Sequence, residues 1–168
     1  MLYLMDTELI VREARGDEVE LPRDILVRAF KEYEGRLDPP SGVHSETLLS
    51  LQNKLKEGGA LICEVGGVVA GCVFYAPRTG YLYVGRLAVI PEYRRRGIGD
   101  FLLRATERRA GELSLPRVRV GIRLALKRLR AYYEARGYTP FAVGSHAGYS
   151  EPTYEKWKKL CDEQLKGR

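Results

Sequence analysis

The chain alternates between short runs rich in β-branched and aromatic residues and stretches whose apolar residues recur every three or four positions. The first pattern is typical of strands, and the second is typical of amphipathic helices. Residues 8–15 are therefore predicted to form a strand. Apolar residues at helical spacing from Ile25 to Tyr33 then predict a helix that starts near Pro22 and ends at Gly35.

A second helix and a three-stranded meander are predicted next. The loop segment DPPSGVH, residues 38–44, precedes a leucine-rich stretch that Ser45 is expected to cap as a helix. Gly58 and Gly59 are expected to end that helix. Three β-rich runs follow, ALICEV, VVAGCVFYAPR and YLYVGRLAVI, with Gly66-Gly67 as the turn between the first two. These runs predict consecutive antiparallel hairpins.

The last third of the chain mixes both patterns. A helix is predicted after the third run, then a short strand at VRVGI, a helix over residues 126–136, and strands over residues 138–143 and 153–159. The last strand competes with a helix over residues 155–165. The order β-α-α-β-β-β-α-β-α-β-β predicts an α/β protein of the α+β kind, built on one mixed sheet. No repeat or linker interrupts this order, so residues 1–168 are expected to form a single domain.

Composition narrows the class of protein. The 168 residues include 28 Lys and Arg against 22 Asp and Glu, and the net charge of +6 favours anionic ligands such as nucleic acid, acidic lipid or a phosphorylated cofactor. No apolar run approaches the ~20 residues needed to span a membrane. Cys63 and Cys72 lie in apolar runs, and we interpret them as core residues of a cytoplasmic protein without a disulfide or metal role.

The arginine clusters do not by themselves indicate nucleic-acid binding. Arg104 and Arg108 lie four residues apart on a predicted helix, away from its apolar residues, which is typical of a solvated helix face. No RNA- or DNA-reading motif accompanies them. We therefore expect neither nucleic acid nor a membrane as the partner.

Three arginines and two glycines stand together where a helix is predicted to begin, in the segment RRRGIG at residues 94–99. A helix N-terminus presents unpaired backbone N–H groups and a partial positive charge. Gly97 and Gly99 lack side chains, so an anion can approach those N–H groups closely, and the arginines add bidentate phosphate donors. The segment therefore predicts a cradle for a phosphate or pyrophosphate.

Two common nucleotide-binding folds do not account for this cradle. The Walker pattern GxxxxGK[ST] is absent, and the dinucleotide fingerprint GxGxxG fails because Leu102 stands at the position of the third glycine. The strands before the cradle are also predicted to form a meander, whereas a dinucleotide fold needs a parallel β-α-β unit.

The segment LAVIPEYRRRGIGDFLL resembles the acetyl-CoA signature [RQ]xxGx[GA] of the GNAT superfamily of N-acetyltransferases, and residues 94–99 match it fully. A second match lies in AYYEARGY, where Tyr133 stands four residues before Gly137-Tyr138, as in the family's Yxx[x]G[FY] element. The predicted order of elements is also similar to the family's. The resemblance implies a mixed, mostly antiparallel sheet of about six or seven strands flanked by about four helices.

The resemblance also implies acetyl-CoA as cosubstrate, with no metal. Backbone N–H groups of the cradle would bind the pyrophosphate, the Arg94 side chain would contact it, and the pantetheine arm would pair with the strand before the cradle. The strand VRVGI would separate from that strand to open a slot. The coenzyme-binding residues that the resemblance implies are Leu87, Ala88, Val89, Arg94, Arg95, Arg96, Gly97, Ile98, Gly99 and Tyr133.

For catalysis, the resemblance implies acetyl transfer to an amine, either a small molecule or a protein amino group. The leaving thiolate needs a proton, and Tyr133 is the general acid that the family pattern implies. A non-catalytic acyl-CoA-binding module is the alternative, because it would keep the cradle without an acid or a base. A homodimer, which is common in the family, is a further expectation.

The general base is left open between His44, His146, Glu64 and a water molecule. The two histidines lie in the loops DPPSGVH and HAGYSEPT, which we expect to form the acceptor pocket.

Two positions need separate comment. Leu126 and the residues after it stand where many family members carry an asparagine, which weakens any coenzyme contact assigned to that turn. Asp100 places a carboxylate beside the cradle, where it repels a pyrophosphate although the helix dipole favours it.

Overall fold

The computed structural model describes residues 8–161, and its elements follow the predicted order. The strands are β1 (Leu9–Glu13), β2 (Gly59–Val65), β3 (Val68–Arg78), β4 (Tyr81–Val89), β5 (Arg117–Arg123), β6 (Thr139–Gly144) and β7 (Tyr154–Leu160). The helices are α1 (Glu20–Phe30), α2 (Leu48–Glu57), α3 (Ile98–Glu112) and α4 (Lys127–Glu134). Short 3-10 turns extend α1 and precede α2 and α3.

The seven strands form one sheet in the order β1-β2-β3-β4-β5-β7-β6. Every neighbouring pair is antiparallel except β4 and β5, which run parallel, so the expected mixed and mostly antiparallel sheet is confirmed. β7 pairs with β5 on one side and with β6 on the other, and it buries Trp157. The competing helix over residues 155–165 is therefore wrong as far as residue 161, and its last four residues lie outside the described part.

Helices cover both faces of the sheet. Gly71 and Cys72 are successive residues of β3, so they point to opposite faces. The Cys72 sulfur lies 3.8 Å from the Pro22 carbonyl oxygen of α1. On the other face, the α3 side chains of Ile98 and Leu102 lie 3.0 Å from the position that a Cβ of residue 71 would take. β3 is consequently buried between two apolar layers, one under α1 and one under α3.

The start of α2 differs from the prediction, because Thr47 and not Ser45 caps this helix. The Thr47 hydroxyl accepts a hydrogen bond from the Ser50 N–H at 3.0 Å, and the Ser50 hydroxyl accepts one from the Thr47 N–H at 2.8 Å. Ser45 instead ends a 3-10 turn, where its hydroxyl donates to the Gly42 carbonyl. The extended backbone of Glu46 separates Ser45 from the helix, so Ser45 lies too far back to cap it.

Candidate active site

The parallel neighbours β4 and β5 are paired at two positions only, Leu82 with Val118 and Tyr83 with Arg119. Beyond these positions, the edge of β4 that faces β5 has no strand partner among the described residues. A β-bulge against β3 accompanies this separation, and Arg86 of the bulge lies in the left-handed region at a φ of 55°. The separation implied by the resemblance is present, and it leaves backbone groups of β4 available to a ligand.

A cavity of about 610 Å³ lies between this edge of β4, α1 and the start of α3. We call it the cradle cavity, and Leu87, Arg95, Gly97 and Gly99 are among the residues that line it. The backbone N–H groups of residues 95–100 donate no hydrogen bond within the described part of the chain. They are the free donors of a helix N-terminus, which is the arrangement that binds a phosphate or pyrophosphate.

The turn that leads into α3 uses the left-handed region twice. Gly97 is the N-cap of α3 and has a φ of 79°, where a side chain would strain the backbone. Arg95 has a φ of 64° despite its side chain. The Arg95 guanidinium is exposed and makes no ion pair or hydrogen bond with any residue in the range 8–161. It is therefore a cation at the mouth of the cradle cavity that is available to an anion.

Most of the expected coenzyme-binding residues meet at this cavity. Those that line it are Leu87, Val89, Arg94, Arg95, Gly97, Ile98 and Gly99. Ala88 is instead buried in the core. The Arg96 side chain is exposed, and its guanidinium carbon lies 4.7 Å from the centre of the Tyr93 ring. Tyr133 lines a second cavity, described below.

The Arg94 side chain binds other parts of the protein. Its guanidinium donates to the Val89 carbonyl at 3.2 Å, to the Ala29 carbonyl at 3.0 Å and to the Glu32 carboxylate at 3.1 Å. These bonds join the end of β4 to the end of α1, so Arg94 holds together two walls of the cradle cavity.

The Asp100 carboxylate is unfavourable beside an anion. It is neutralised by Arg136, which follows the C-terminal end of α4. Arg136 Nε donates to Asp100 Oδ1 at 2.5 Å, and the Tyr132 hydroxyl donates to the same oxygen at 2.8 Å. The Arg136 guanidinium carbon also lies 3.5 Å from the centre of the Tyr132 ring. The hydrogen bond from Arg136 holds the pKa of Asp100 below its usual range. The only signal for this cluster in the sequence is the four-residue spacing of Tyr132 and Arg136 within the helix predicted over residues 126–136. In the structure α4 ends at Glu134, and Arg136 lies in the turn that follows it.

A second cavity of about 600 Å³ opens between β4, β5 and β7. It shares five lining residues with the cradle cavity, namely Phe30, Tyr33, Leu87, Leu126 and Leu129. The two cavities therefore meet at the unpaired part of β4. The five shared residues are aromatic or aliphatic, so this junction is largely apolar.

Tyr133 lines the second cavity and is buried, with 6% of its surface exposed. Its ring packs edge-on against Tyr132 and Tyr138, with 5.3 Å between ring centres in both cases. Its hydroxyl has no hydrogen-bond partner among the described residues. Burial raises the pKa of Tyr133 above its ordinary value, so the hydroxyl stays protonated near neutral pH.

Only one of the three candidate base residues reaches the second cavity. His146 lines it, with one ring nitrogen 2.5 Å from the Thr153 hydroxyl, and burial lowers the pKa of His146 below its usual value. His44 is exposed and lines neither cavity. Glu64 lies on β2, where it accepts a hydrogen bond from Arg12 at 3.0 Å, and it also lines neither cavity.

Both expected acceptor loops contribute to the second cavity. Ser41 and Gly42 come from the first loop, and His146 comes from the other, next to Ser145, which immediately precedes that loop. The Tyr149 hydroxyl donates to the Asp38 carboxylate and so joins the two loops.

The unpaired edge of β4 leads to free N–H groups at the start of α3. This arrangement is that of a protein that binds an acyl-coenzyme A. The model of the acetyltransferase (GNAT) family matches residues 24–138 of the chain. The chain belongs to this family of acetyl-CoA-dependent N-acetyltransferases, as the signature RRRGIG predicts.

Solved structures share this fold over nearly the whole chain. The ribosomal-protein-S18-alanine N-acetyltransferase from Escherichia coli superposes with a TM-score of 0.74 at 13% identity, over 92% of this chain and 94% of that one. The PaiA N-acetyltransferase from Thermoplasma acidophilum, solved with coenzyme A, gives 0.74 at 15% identity, over 91% and 99%. A GNAT acetyltransferase from Elizabethkingia anophelis with acetyl-CoA bound gives 0.69 at 14% identity, over 90% and 97%. A search of curated proteins found no match.

Residues 8–161 contain neither a metal-binding cluster nor a helix that could span a membrane. No group of three or more His, Cys, Asp and Glu side chains is arranged to hold a metal ion. No helix in this range has the length and apolar character to cross a membrane. Cys63 and Cys72 are fully buried in the core, as their apolar surroundings in the sequence predict.

The Asp100 cluster predicts a pH-dependent stability. The folded-state pKa of Asp100 is lowered, so its contribution is present at neutral pH and is lost as the pH falls below about 4, through the folded pKa. Asp100→Asn should therefore unfold at a lower urea concentration than the wild type at pH 7, and this gap between the two unfolding midpoints should be smaller at a pH well below about 4. Asp17→Asn, at an exposed carboxylate in a loop, is the control and should show no such gap. If the unfolding midpoints of Asp100→Asn and the wild type differ by the same amount at both pH values, the Asp100 carboxylate does not stabilise the fold through its ion pair with Arg136.

Proposed function

We propose that this protein transfers the acetyl group of acetyl-CoA directly to an amine acceptor, either a small molecule or a protein amino group. The observation that supports the proposal is the junction of the two cavities at the unpaired edge of β4, with Tyr133 in the lining of the second cavity. A coenzyme in the cradle cavity and an amine in the second cavity would meet there. The bound coenzyme supplies an acetyl group activated as a thioester.

In this proposal, the cradle residues bind and orient the coenzyme. The N–H groups from Arg95 to Gly99 receive the pyrophosphate at the positive end of α3, and the Arg95 guanidinium pairs with it. The backbone of Leu87, Ala88 and Val89 pairs with the pantetheine arm as a neighbouring strand would. Arg94 acts by holding Val89 against α1. A backbone N–H close to Leu87 then polarises the thioester carbonyl.

Two side chains of the second cavity move protons. Tyr133 is the general acid, because its hydroxyl is protonated at neutral pH and has no internal acceptor to compete for its proton. His146 is the general base. Its pKa is lowered, so its ring is neutral at pH 7 and can accept a proton as the amine attacks.

Coenzyme binding should be visible as thermal stabilisation. Acetyl-CoA, CoA and desulfo-CoA should each stabilise the protein by about 2.7 kcal/mol at a hundredfold excess over Kd, whereas ATP should give no comparable shift. Arg95→Ala should weaken binding about tenfold, because it removes a charge-assisted hydrogen bond. Arg96→Ala removes the adjacent, exposed guanidinium and is the matched control. A shift with ATP equal to that with CoA, or an equal loss in both variants, would count against the proposed cradle.

The role of Tyr133 predicts a loss of turnover without a loss of coenzyme binding. Tyr133→Phe should lower kcat about 100-fold in an assay of CoA release, with little change in the affinity for acetyl-CoA. Tyr138→Phe is the control, because its hydroxyl donates to Glu107 at 3.0 Å and lines neither cavity. Undiminished turnover in Tyr133→Phe would exclude the general-acid role. Wild-type protein that binds acetyl-CoA but acetylates no amine in a broad panel would favour the non-catalytic module.

A further inference from the structure

The second cavity has an unbalanced charge. Its lining contains four cationic side chains and no Asp or Glu, and the cations are Arg86, Arg119, Arg123 and Lys156. An amine substrate is itself a cation before it loses a proton. The only charged side chains that line this cavity are cations, and they repel an amine that is itself a cation. The chemistry of the acceptor must therefore account for them.

The register of the sheet places these cations together. Arg119 of β5 lies opposite Lys158 of β7, and Gly121 lies opposite Lys156, so all of these positions share one face. The residue between the two lysines is Trp157, and Glu155 precedes them; alternation points both of these side chains to the other face. There Glu155 binds Arg130 and the Trp157 indole. Like charges directly opposite each other destabilise a sheet unless an anion lies between them.

Two of the four cations already have partners in the protein. Arg86 pairs with the buried Glu46 carboxylate at 2.9 Å. Arg123 donates to the Pro39 carbonyl and is attracted by the nearby Asp38. These contacts fix the walls of the cavity.

Arg119 and Lys156 are not neutralised in this way. Neither side chain has an ion pair within residues 8–161, and the Nε of Arg119 is buried without a hydrogen-bond partner. The Arg119 guanidinium carbon lies 4.1 Å from the centre of the Tyr81 ring and 4.8 Å from that of Phe141. Packing between these two rings orients a planar guanidinium and leaves it free to bind a planar or tetrahedral anion.

Resting on the proposed function, we propose that the acceptor is a small-molecule amine that also carries a carboxylate or phosphate group, which Arg119 binds with help from Lys156. Arg119 lies opposite Tyr83 at the point where β4 and β5 separate, and Tyr83 and Tyr133 line the same cavity. In this arrangement the anionic group of the acceptor binds Arg119 while its amine faces Tyr133 in the same cavity. A volume of about 600 Å³ suits a small molecule.

The test compares amines that differ in one anionic group. The probes are ω-amino carboxylates of increasing chain length with their amides, ethanolamine phosphate with ethanolamine, and spermidine as a polycation. Calorimetry with the CoA complex measures binding, and CoA release at saturating acetyl-CoA measures kcat/KM. At least one anionic amine should bind about tenfold tighter than its neutral partner, because a charge-assisted hydrogen bond is lost with the anion. The carboxylate and phosphate series distinguish the two kinds of anion.

Variants of Arg119 test whether this residue causes the preference for the anionic amine over its neutral partner. Arg119→Gln should lower kcat/KM for the anionic member about tenfold or more, change that of the neutral member by less than about twofold, and leave acetyl-CoA affinity unchanged. Arg119→Lys should recover part of the loss. Arg117→Gln is the matched control, because Arg117 lies two residues earlier on β5, also has a buried Nε without a partner, and lies outside the cavity.

Three results would overturn the inference: equal or tighter binding of the amides or spermidine, an equal loss for both members of a pair in Arg119→Gln, or no binding of any anionic amine to the CoA complex. Acetylation of a neutral peptide amine in preference to every anionic probe would also overturn it and favour a protein acceptor. Failure of the proposed function looks different, because the protein would then either not bind CoA or bind an anionic amine in the CoA complex without acetylating any amine of the panel.

Discussion

β4 separates from β5 after two paired positions, and the arrangement of both cavities depends on this separation. A strand edge inside a sheet leaves N–H and C=O groups without partners, and such groups are unfavourable unless a ligand or water satisfies them. The bulge at Arg86 and the apolar residues at Leu126 and Leu129 keep the gap open. Both cavities border this gap; we propose that one holds the coenzyme and the other receives the acceptor.

Contacts between distant segments hold the two cavities in a fixed relation. Arg136 follows α4, the helix that carries Tyr133, and binds Asp100 in the first turn of α3. Arg94 joins the end of β4 to the end of α1. The start of α3 is therefore tied to the helix that bears the proposed acid. The contact between Arg136 and Asp100 would therefore fix the position of Tyr133 relative to a coenzyme bound at the start of α3.

The parts that the sequence predicted are those encoded by local patterns. The alternation of apolar residues, the turn at Gly66-Gly67 and the segment RRRGIG each lie within a few neighbouring residues, and the elements and the cradle follow from them. β7 was ambiguous because its short pattern also suits a helix, and pairing with two neighbouring strands decides it. The start of α2 depends on the extended backbone of Glu46, which the amino-acid composition of the segment does not reveal. The cation pair of Arg119 and Lys156 depends on strand register, and no local signal contains it.

Hydrogen exchange of backbone amides, with and without CoA, directly tests whether the coenzyme binds at the gap between β4 and β5. We expect CoA to slow exchange in residues 95–100 and at those residues among 84–89 of β4 whose N–H groups face β5, because these N–H groups gain acceptors there. Exchange on the exposed arginine-rich side of α3, around residues 104–109, should not change. Unchanged exchange in both predicted segments at saturating CoA, or slowing confined to the helix surface, would contradict a coenzyme site at the gap between β4 and β5.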